Sequence, residues 1–284
     1  MIPAAFDYKA PTSLNEALQL LGEGGDDAKI IAGGQSLLPV LRLRLAAPEL
    51  VIDLAKIDSL KGIRDDGDAI VIRAMTPHFE VLRDSLIAEH ASLIAKCVAT
   101  VADPQVRHRG TFGGACAHAD PASDIPAPML ALDAEFVIAG PSGQRTVAAA
   151  DFFQDLFTTA VGDDEILVEV RVPKYTGWGS AYEKFVRVAH QWAIAGVAAT
   201  VRTEGGTIAE ARIGLTNMGP TPIRARAAEQ ALVGVAVEPD AVAAALTSIA
   251  DGTAPPTDLN GDPEYRRHLV SVLGRRAVLA AART

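Results

Sequence analysis

The chain has 284 residues, of which 49% are hydrophobic, and this is enough for two packed domains. Its formal net charge is −9, and no basic stripe is present to neutralise a phosphate backbone, so we expect no nucleic-acid partner. The sequence has no apolar run long enough to span a bilayer and no signal peptide, so a cytoplasmic location is expected. Two cysteines are too few for a disulfide framework or a thiolate metal site, and we expect no metal in this chain.

The first 55 residues are predicted to form a compact α/β lobe. Ser13 followed three residues later by Glu16 is typical of a capped helix start, and this helix is expected to end near Gly22. Residues 28–32 and 50–54 are predicted strands because they are short apolar runs bounded by turn residues.

A second α/β lobe is predicted from residue 56 to about 175. Its predicted strands are 69–74, 135–140 and 165–173, and its predicted helices are 77–101 and 126–133.

A domain boundary is predicted at 174–180, where glycine and small polar residues follow a strong strand. Beyond it, strands 195–201 and 209–215 flank a hairpin turn at 204–206. Helices are expected near 224–234, 238–250 and 262–282, which indicates a small α+β domain.

Two glycine-rich turns carry the chemistry of the chain. In the first, Gly33-Gly34 precedes Gln35 and Ser36; in the second, Thr111 precedes Gly113-Gly114. Glycine lets backbone approach a ligand without a Cβ clash, and N–H and O–H groups can then converge on phosphate oxygens. The pair of turns therefore suggests a bound dinucleotide. Neither turn has the G-x-G-x-x-G spacing of a Rossmann fold.

A carboxylate follows the second turn. Asp124 is our candidate for hydrogen bonds to ribose hydroxyls. The alternative is that Asp120 and Asp124 cap the helix that begins near Ile125, and the two roles are compatible.

Three motifs resemble those of the FAD-binding medium subunits of the molybdenum hydroxylases, a family that includes aerobic carbon monoxide dehydrogenase and the flavin domain of xanthine dehydrogenase. They are A-G-G-Q-S-L at 32–37, R-x-R-G-T-x-G-G at 107–114 and D-P-x-S-D at 120–124. The likeness covers the whole chain and extends to residues 264–269, which open the last predicted helix.

The resemblance implies an α+β fold in two domains. Residues 1–175 would be a two-lobed FAD-binding domain of the vanillyl-alcohol-oxidase (PCMH) type, with lobes of about 1–55 and 56–175. Residues 178–284 would be the small α+β C-terminal domain.

The resemblance also implies which residues hold non-covalent FAD. The two turns would hold the pyrophosphate, Asp124 would hold a ribose, and Leu167 and Lys184 lie where the family has further contacts. Trp192 matches the position of an aromatic residue near the isoalloxazine; alternatively it packs the interdomain core. The full predicted set is Ile30, Ile31, Ala32, Gly33, Gly34, Gln35, Ser36, Leu37, Thr111, Gly113, Gly114, Ala115, Asp124, Leu167, Lys184 and Trp192.

The implied function is electron transfer, and no catalytic residue is expected in this chain. Electrons would pass from 2Fe–2S clusters of a small partner subunit through FAD to an external acceptor such as a quinone or NAD. A large partner subunit would carry molybdopterin, and the assembly would be a dimer of heterotrimers. Carbon monoxide dehydrogenase is the first expectation, and a nicotine, aldehyde, xanthine or quinoline dehydrogenase is the alternative. A stand-alone flavin oxidase or a flavin-free assembly subunit is the alternative of another class.

Overall fold

The computed structural model describes residues 2–284, and they contain an α+β fold built on three main sheets. The strands are β1 Asp7–Lys9, β2 Ala28–Ile31, β3 Leu50–Asp53, β4 Ile63–Asp65, β5 Ala69–Arg73, β6 Glu135–Gly140, β7 Gly143–Ala148, β8 Phe153–Asp155, β9 Thr158–Thr159, β10 Ile166–Pro173, β11 Gly179–Phe185, β12 Ala195–Glu204, β13 Thr207–Thr216 and β14 Ile223–Arg224. The helices are α1 Leu14–Gly24, α2 Leu37–Arg42, α3 His78–Arg83, α4 Ser85–His90, α5 Ser92–Val98, α6 Pro104–Arg109, α7 Phe112–His118, α8 Pro126–Ala131, α9 Ala149–Phe152, α10 Arg226–Leu232, α11 Pro239–Ala245 and α12 Pro263–Ala282.

The N-terminal lobe is a parallel three-stranded sheet in the order β1-β3-β2 with α1 packed on it. The capping box at the start of α1 is present: the Ser13 hydroxyl accepts from the Glu16 N–H at 3.2 Å, and the Glu16 carboxylate accepts from the Thr12 N–H at 2.9 Å. The helix continues two residues past the predicted end, to Gly24, where Gly25 adopts a φ of 50° that terminates it.

The second lobe is an antiparallel sheet in the order β4-β5-β10-β6-β7, and its central strands β5, β10 and β6 are buried on both faces. In β6, Phe136 and Ile138 pack into the core shared with α3–α8, whereas Val137 and Ala139 pack into the core under the first lobe. This two-sided burial explains the nearly continuous apolar runs that predict its central strands.

A β-bulge interrupts the pairing of β10 with β6 between Leu167 and Glu169. Leu167, Val170 and Val172 face the same core, so the usual alternation is shifted by one residue across the bulge. On its other edge, the Val168 carbonyl accepts from the Ala74 N–H at 2.9 Å, which continues the pairing of β10 with β5 one residue beyond Glu169 and Arg73.

The predicted helix over 77–101 is three short helices, α3, α4 and α5. Asp84 has extended backbone, with ψ of 132°, and its carboxylate accepts from the N–H groups of Leu86 and Ile87, so it starts a new helix rather than continuing the old one. Ala91, with φ of −145° and ψ of 45°, makes the second break.

The C-terminal unit is an antiparallel sheet in the order β11-β12-β13-β14 covered by α10, α11 and α12. The hairpin between β12 and β13 turns at Gly205 and Gly206, both with positive φ, as this turn requires. No helix within residues 2–284 is long and apolar enough to cross a membrane.

Candidate functional site

A cavity of about 730 Å³ lies where the first lobe, the second lobe and the C-terminal unit meet. Its wall is formed mainly by backbone of the two glycine segments and by apolar side chains. Both its size and its lining are typical of cofactor sites.

The first glycine segment, 32–36, connects the end of β2 to the start of α2. Gly34 has a φ of 74°, which few other residues adopt. A Cβ on Gly33 would lie 2.6 Å from the Gly110 Cα and would also collide with the Arg109 carbonyl. The glycine at position 33 therefore lets the first segment touch the backbone that leads into the second.

The backbone N–H groups from Gly33 to Leu37 belong to the first glycine segment, which lines the cavity. None of these five consecutive N–H groups donates to an acceptor within the described residues, although the next one, from Leu38, donates to the Gly34 carbonyl at 3.1 Å. The Gln35 side chain is turned onto the Gly33 carbonyl at 3.1 Å. A run of free amides at a cavity wall is a site for anionic oxygens.

The second glycine pair lies inside the first turn of α7, not in a plain turn as predicted. Thr111 is the N-cap: its hydroxyl oxygen accepts from the Gly114 N–H at 3.2 Å, so the hydroxyl proton stays available to a ligand. Gly113 donates its N–H to the Ala74 carbonyl at 2.9 Å. A Cβ on Gly113 would lie 2.6 Å from the Ala74 Cα.

These contacts correct the physical reason given for the glycines. Gly33 and Gly113 were expected to make room for a ligand, whereas the space beside each is filled by protein backbone. Their effect on a ligand is indirect: the two segments approach each other closely enough to present their free groups to one cavity.

Asp124 is 4% exposed and lies at the junction of the second lobe and the C-terminal unit. Its carboxylate accepts from the Tyr182 hydroxyl at 2.7 Å and from the Lys184 ammonium at 2.8 Å. Burial raises the pKa of this carboxyl, and Lys184 and Tyr182 oppose the rise. A carboxylate has about four acceptor sites, so the two bonds leave capacity for a ribose hydroxyl.

The capping alternative for Asp124 is wrong. The N-cap of α8 is Ile125, and no side chain caps that helix. Asp120 also does not cap it, because its carboxylate accepts from the Ala122 N–H at 2.9 Å within the preceding turn.

Trp192 lies at the cavity wall with 51% of its surface exposed. The alternative that it packs the interdomain core is therefore wrong, because a core tryptophan would be buried. Its large apolar face remains available to a flat ligand ring.

The structure brings together nearly all of the predicted site residues. Every one of them lines the cavity except Ile31, whose neighbours Ile30 and Ala32 do line it. That each of these residues contacts FAD stays a prediction.

Other cavity residues carry no local sequence signal. They come from β2, α2, the β5–α3 connection with the start of α3, the segment around α6, the β8–β9 turn and the β11–β12 connection, and they include Lys29, Val40, Met75, His78, Val101, Ala102, Val106, Phe157 and Gln191. Lys29 and Val40, which flank the first glycine segment, and Gln191, which precedes Trp192, could have been found by proximity.

The described residues contain no cluster of three or more His, Cys, Asp or Glu side chains placed to hold a metal ion. Cys97 and Cys116 are free and buried, and burial raises the pKa of both thiols.

Residues 4–175 match the family described as the FAD binding domain in molybdopterin dehydrogenase, and residues 180–281 match the CO dehydrogenase flavoprotein C-terminal domain. The chain belongs to the FAD-binding subunits of the molybdenum hydroxylases. The predicted family, its fold class and its FAD cofactor are thereby confirmed.

Relatives of this flavoprotein subunit align along its whole length. The chain is 43% identical to the carbon monoxide dehydrogenase medium chain of Hydrogenophaga pseudoflava, over 99% of this chain and 98% of that one. A solved structure of carbon monoxide dehydrogenase from the same organism superposes with a TM-score of 0.95 at 45% identity, covering 99% and 98% of the two chains. Quinoline 2-oxidoreductase from Pseudomonas putida 86 superposes with a TM-score of 0.95 at 34% identity, covering 100% and 99%.

The cavity residues fit FAD on their own chemistry. Five free amides and the Thr111 hydroxyl suit a pyrophosphate, and the apolar walls with Trp192 at one end suit an isoalloxazine ring. The match to a family of FAD-binding oxidoreductase subunits agrees with this fit.

Proposed function

We propose that this chain is the medium subunit of a carbon monoxide dehydrogenase and carries electrons between an iron–sulfur partner subunit and an external acceptor. The supporting observation is that one cavity of this chain gathers nearly all of the residues predicted to bind FAD. The identities of 43% and 45% to carbon monoxide dehydrogenase, against 34% to quinoline 2-oxidoreductase, favour this member of the family.

The two glycine segments would hold the pyrophosphate. The N–H groups of Gly33 to Leu37 donate to its oxygens, and the Thr111 hydroxyl donates a further hydrogen bond. Because these donors are backbone or a helix cap, they are held in place before the ligand arrives.

Asp124 and Lys184 would hold the ribose end of the site. The carboxylate accepts from a ribose hydroxyl, and Lys184, 8% exposed at its side chain, keeps the buried charge balanced. Trp192, which also lines the cavity, would lie against the isoalloxazine, and Leu167 would add an apolar contact to FAD.

When bound, FAD supplies a redox centre that exchanges electrons singly or in pairs. The chain positions it and leaves substrate oxidation to another polypeptide. A small subunit with 2Fe–2S clusters and a large subunit with molybdopterin are the partners we infer, assembled as a dimer of heterotrimers in the cytoplasm. We further infer domain limits of 1–175, with lobes of about 1–55 and 56–175, and 178–284.

The large partner subunit, where the substrate would be oxidised, would determine the substrate specificity of the complex. A nicotine, aldehyde, xanthine or quinoline dehydrogenase would use the same flavin site. A stand-alone flavin oxidase would instead show flavin on this chain without partners, and a flavin-free assembly subunit would show none.

The test is to capture the complex through a tag on this chain in its native host and to measure its FAD, iron and molybdenum. We expect all three, together with oxidation of CO in the presence of an artificial electron acceptor. Oxidation of an N-heterocycle or an aldehyde but not of CO would assign another member of the family. Flavin without partners, or partners without flavin, would contradict the electron-transfer role itself.

A further inference from the structure

One buried side chain in the cavity has no assigned role. His78, the first residue of α3, is 4% exposed and lines the cavity beneath the second glycine segment. Its backbone N–H donates to the Gly110 carbonyl at 3.0 Å, and its ring lies edge-on to Phe112 with centroids 6.4 Å apart.

Neither ring nitrogen of His78 has a hydrogen-bond partner within the described residues. Nδ1 is enclosed by protein, whereas Nε2 is not, and the His78 side chain lines the cavity. Burial lowers the pKa of the imidazole to about 4, with a smaller contribution from Arg107, so the ring is neutral near neutral pH.

A neutral imidazole carries one proton, and the surroundings select the nitrogen that holds it. A buried N–H without an acceptor is more costly than a buried lone pair without a donor. The proton therefore belongs on Nε2, where it faces the cavity, and the lone pair of Nδ1 stays enclosed.

His78 lies at the point where the two glycine segments meet. Gly110 is the common neighbour: a Cβ on Gly33 would lie 2.6 Å from the Gly110 Cα, and a Cβ on Gly110 would lie 3.1 Å from the His78 Cδ2. The free amides that begin at Gly33 open on the same cavity.

We propose that His78 is an FAD-binding residue, whose Nε2–H donates a hydrogen bond to an oxygen of the pyrophosphate or of the adjoining ribose. This inference rests on the proposed FAD site. It gives the unpaired histidine its partner and adds a side-chain donor to a site otherwise made mostly of backbone N–H groups.

The experiment compares three substitutions in the full chain stripped of flavin. His78→Gln places an amide N–H near the position of Nε2, His78→Asn places one near Nδ1, and His78→Leu removes both nitrogens. FAD affinity is measured by quenching of flavin fluorescence, and the ³¹P resonances of bound FAD are recorded. His268→Leu, an exposed site on α12, is the control.

We expect His78→Leu and His78→Asn to weaken FAD binding by about tenfold and His78→Gln to stay within about threefold. The flavin-free His78→Leu chain should unfold at the same temperature as the wild type or higher, since the substitution removes an unpaired buried ring. Lower affinity without lower stability separates a ligand contact from a structural role.

If all three variants bound FAD as tightly as the wild type, the proposal for His78 would be overturned and the FAD site would stand. Equal loss in all three, with unchanged ³¹P resonances, would overturn the assignment to Nε2 and with it the proposal. Failure of the wild-type chain itself to bind FAD would instead overturn the proposed function.

Discussion

Glycine acts on this site through packing between protein segments. Gly33 and Gly113 stand where a side chain would meet neighbouring backbone, and backbone cannot move aside as a flexible side chain can. The free donors of the cavity thus depend on residues that do not need to touch the ligand.

We expect Gly113→Ala to destabilise the flavin-free chain by about 1–3 kcal/mol, because the new Cβ would overlap the backbone of Ala74. Urea unfolding measures the change. Gly22→Ala is the matched control: it lies in α1 with nothing within 4 Å of the new Cβ and should stabilise the chain by up to about 1 kcal/mol. Similar midpoints for the two variants would contradict the packing role of Gly113.

The buried imidazole of His78 also predicts a pH dependence. Its folded pKa of about 4 is below the value of 6.5 of an exposed histidine, so between these two values the unfolded chain binds the extra proton and stability falls as pH falls. The full effect is about 3 kcal/mol. The unfolding free energies of the wild type and of His78→Leu are measured from pH 7 to pH 4. Over this range the wild type should lose about 3 kcal/mol relative to the variant. A difference that does not vary with pH would show that His78 is protonated normally.

At the scale of elements, the ends of short helices place the polar groups of the site. Thr111 caps α7 and Asp84 caps α4, and Asp84 lies inside the segment 77–101 that the apolar pattern predicts as a single helix. Ala74 donates its N–H to the Val168 carbonyl and accepts from the Gly113 N–H, so the end of β5 connects the sheet to the first turn of α7.

Thr111→Ala should weaken both folding and FAD binding. Loss of the cap costs about 1 kcal/mol of stability, and loss of the hydroxyl removes one donor from the cavity, which is worth up to about tenfold in affinity. Asp262→Ala removes the cap of α12, far along the chain, and should cost similar stability without any change in FAD affinity. Thermal unfolding and fluorescence titration measure the two effects. Normal FAD binding by Thr111→Ala would remove Thr111 from the predicted site. Thr111→Ser keeps the hydroxyl and should retain both the stability and the FAD affinity of the wild type.

For the whole molecule, the buried group of Asp124, Tyr182 and Lys184 joins the second lobe to the C-terminal unit at the cavity. Lys184 also donates to the Thr100 carbonyl at 3.2 Å, so one ammonium contacts two segments of the second lobe. Removing one member of a buried ion pair leaves an unbalanced charge, whereas removing both does not.

We expect Lys184→Met to destabilise the chain by about 3 kcal/mol and the double variant Asp124→Asn, Lys184→Met to recover part of that loss. Calorimetry of the flavin-free chain measures both changes in stability. If the unfolding of Lys184→Met separated into two transitions, the ion pair would be shown to couple the second lobe to the C-terminal unit. The exposed pair of Lys61 and Asp58 is the control, and Lys61→Met should change stability little. Equal losses from Lys184→Met and from Lys61→Met would contradict the coupling.

The sequence by itself determined the family, the fold class and most of the predicted residues that line the cavity, because the glycine motifs, the helix cap of Ser13 and the two-sided apolar strands are local patterns with local causes. It left out edge strands such as β7, whose side chains are mostly exposed and carry no apolar pattern. It also broke down over 77–101, where the apolar period continues through Asp84 although the helix does not.

Only the tertiary structure decided how the site is assembled. Asp124 and Lys184 are 60 positions apart, and their pairing depends on the packing of two units, which no local pattern encodes. The role of Gly33 is visible only once Gly110 lies against it, and His78 joins the cavity only because the β5–α3 connection passes beneath α7. Burial and close approach arise from contacts distant in sequence, and they set both the geometry of the donors and the charge states at this site.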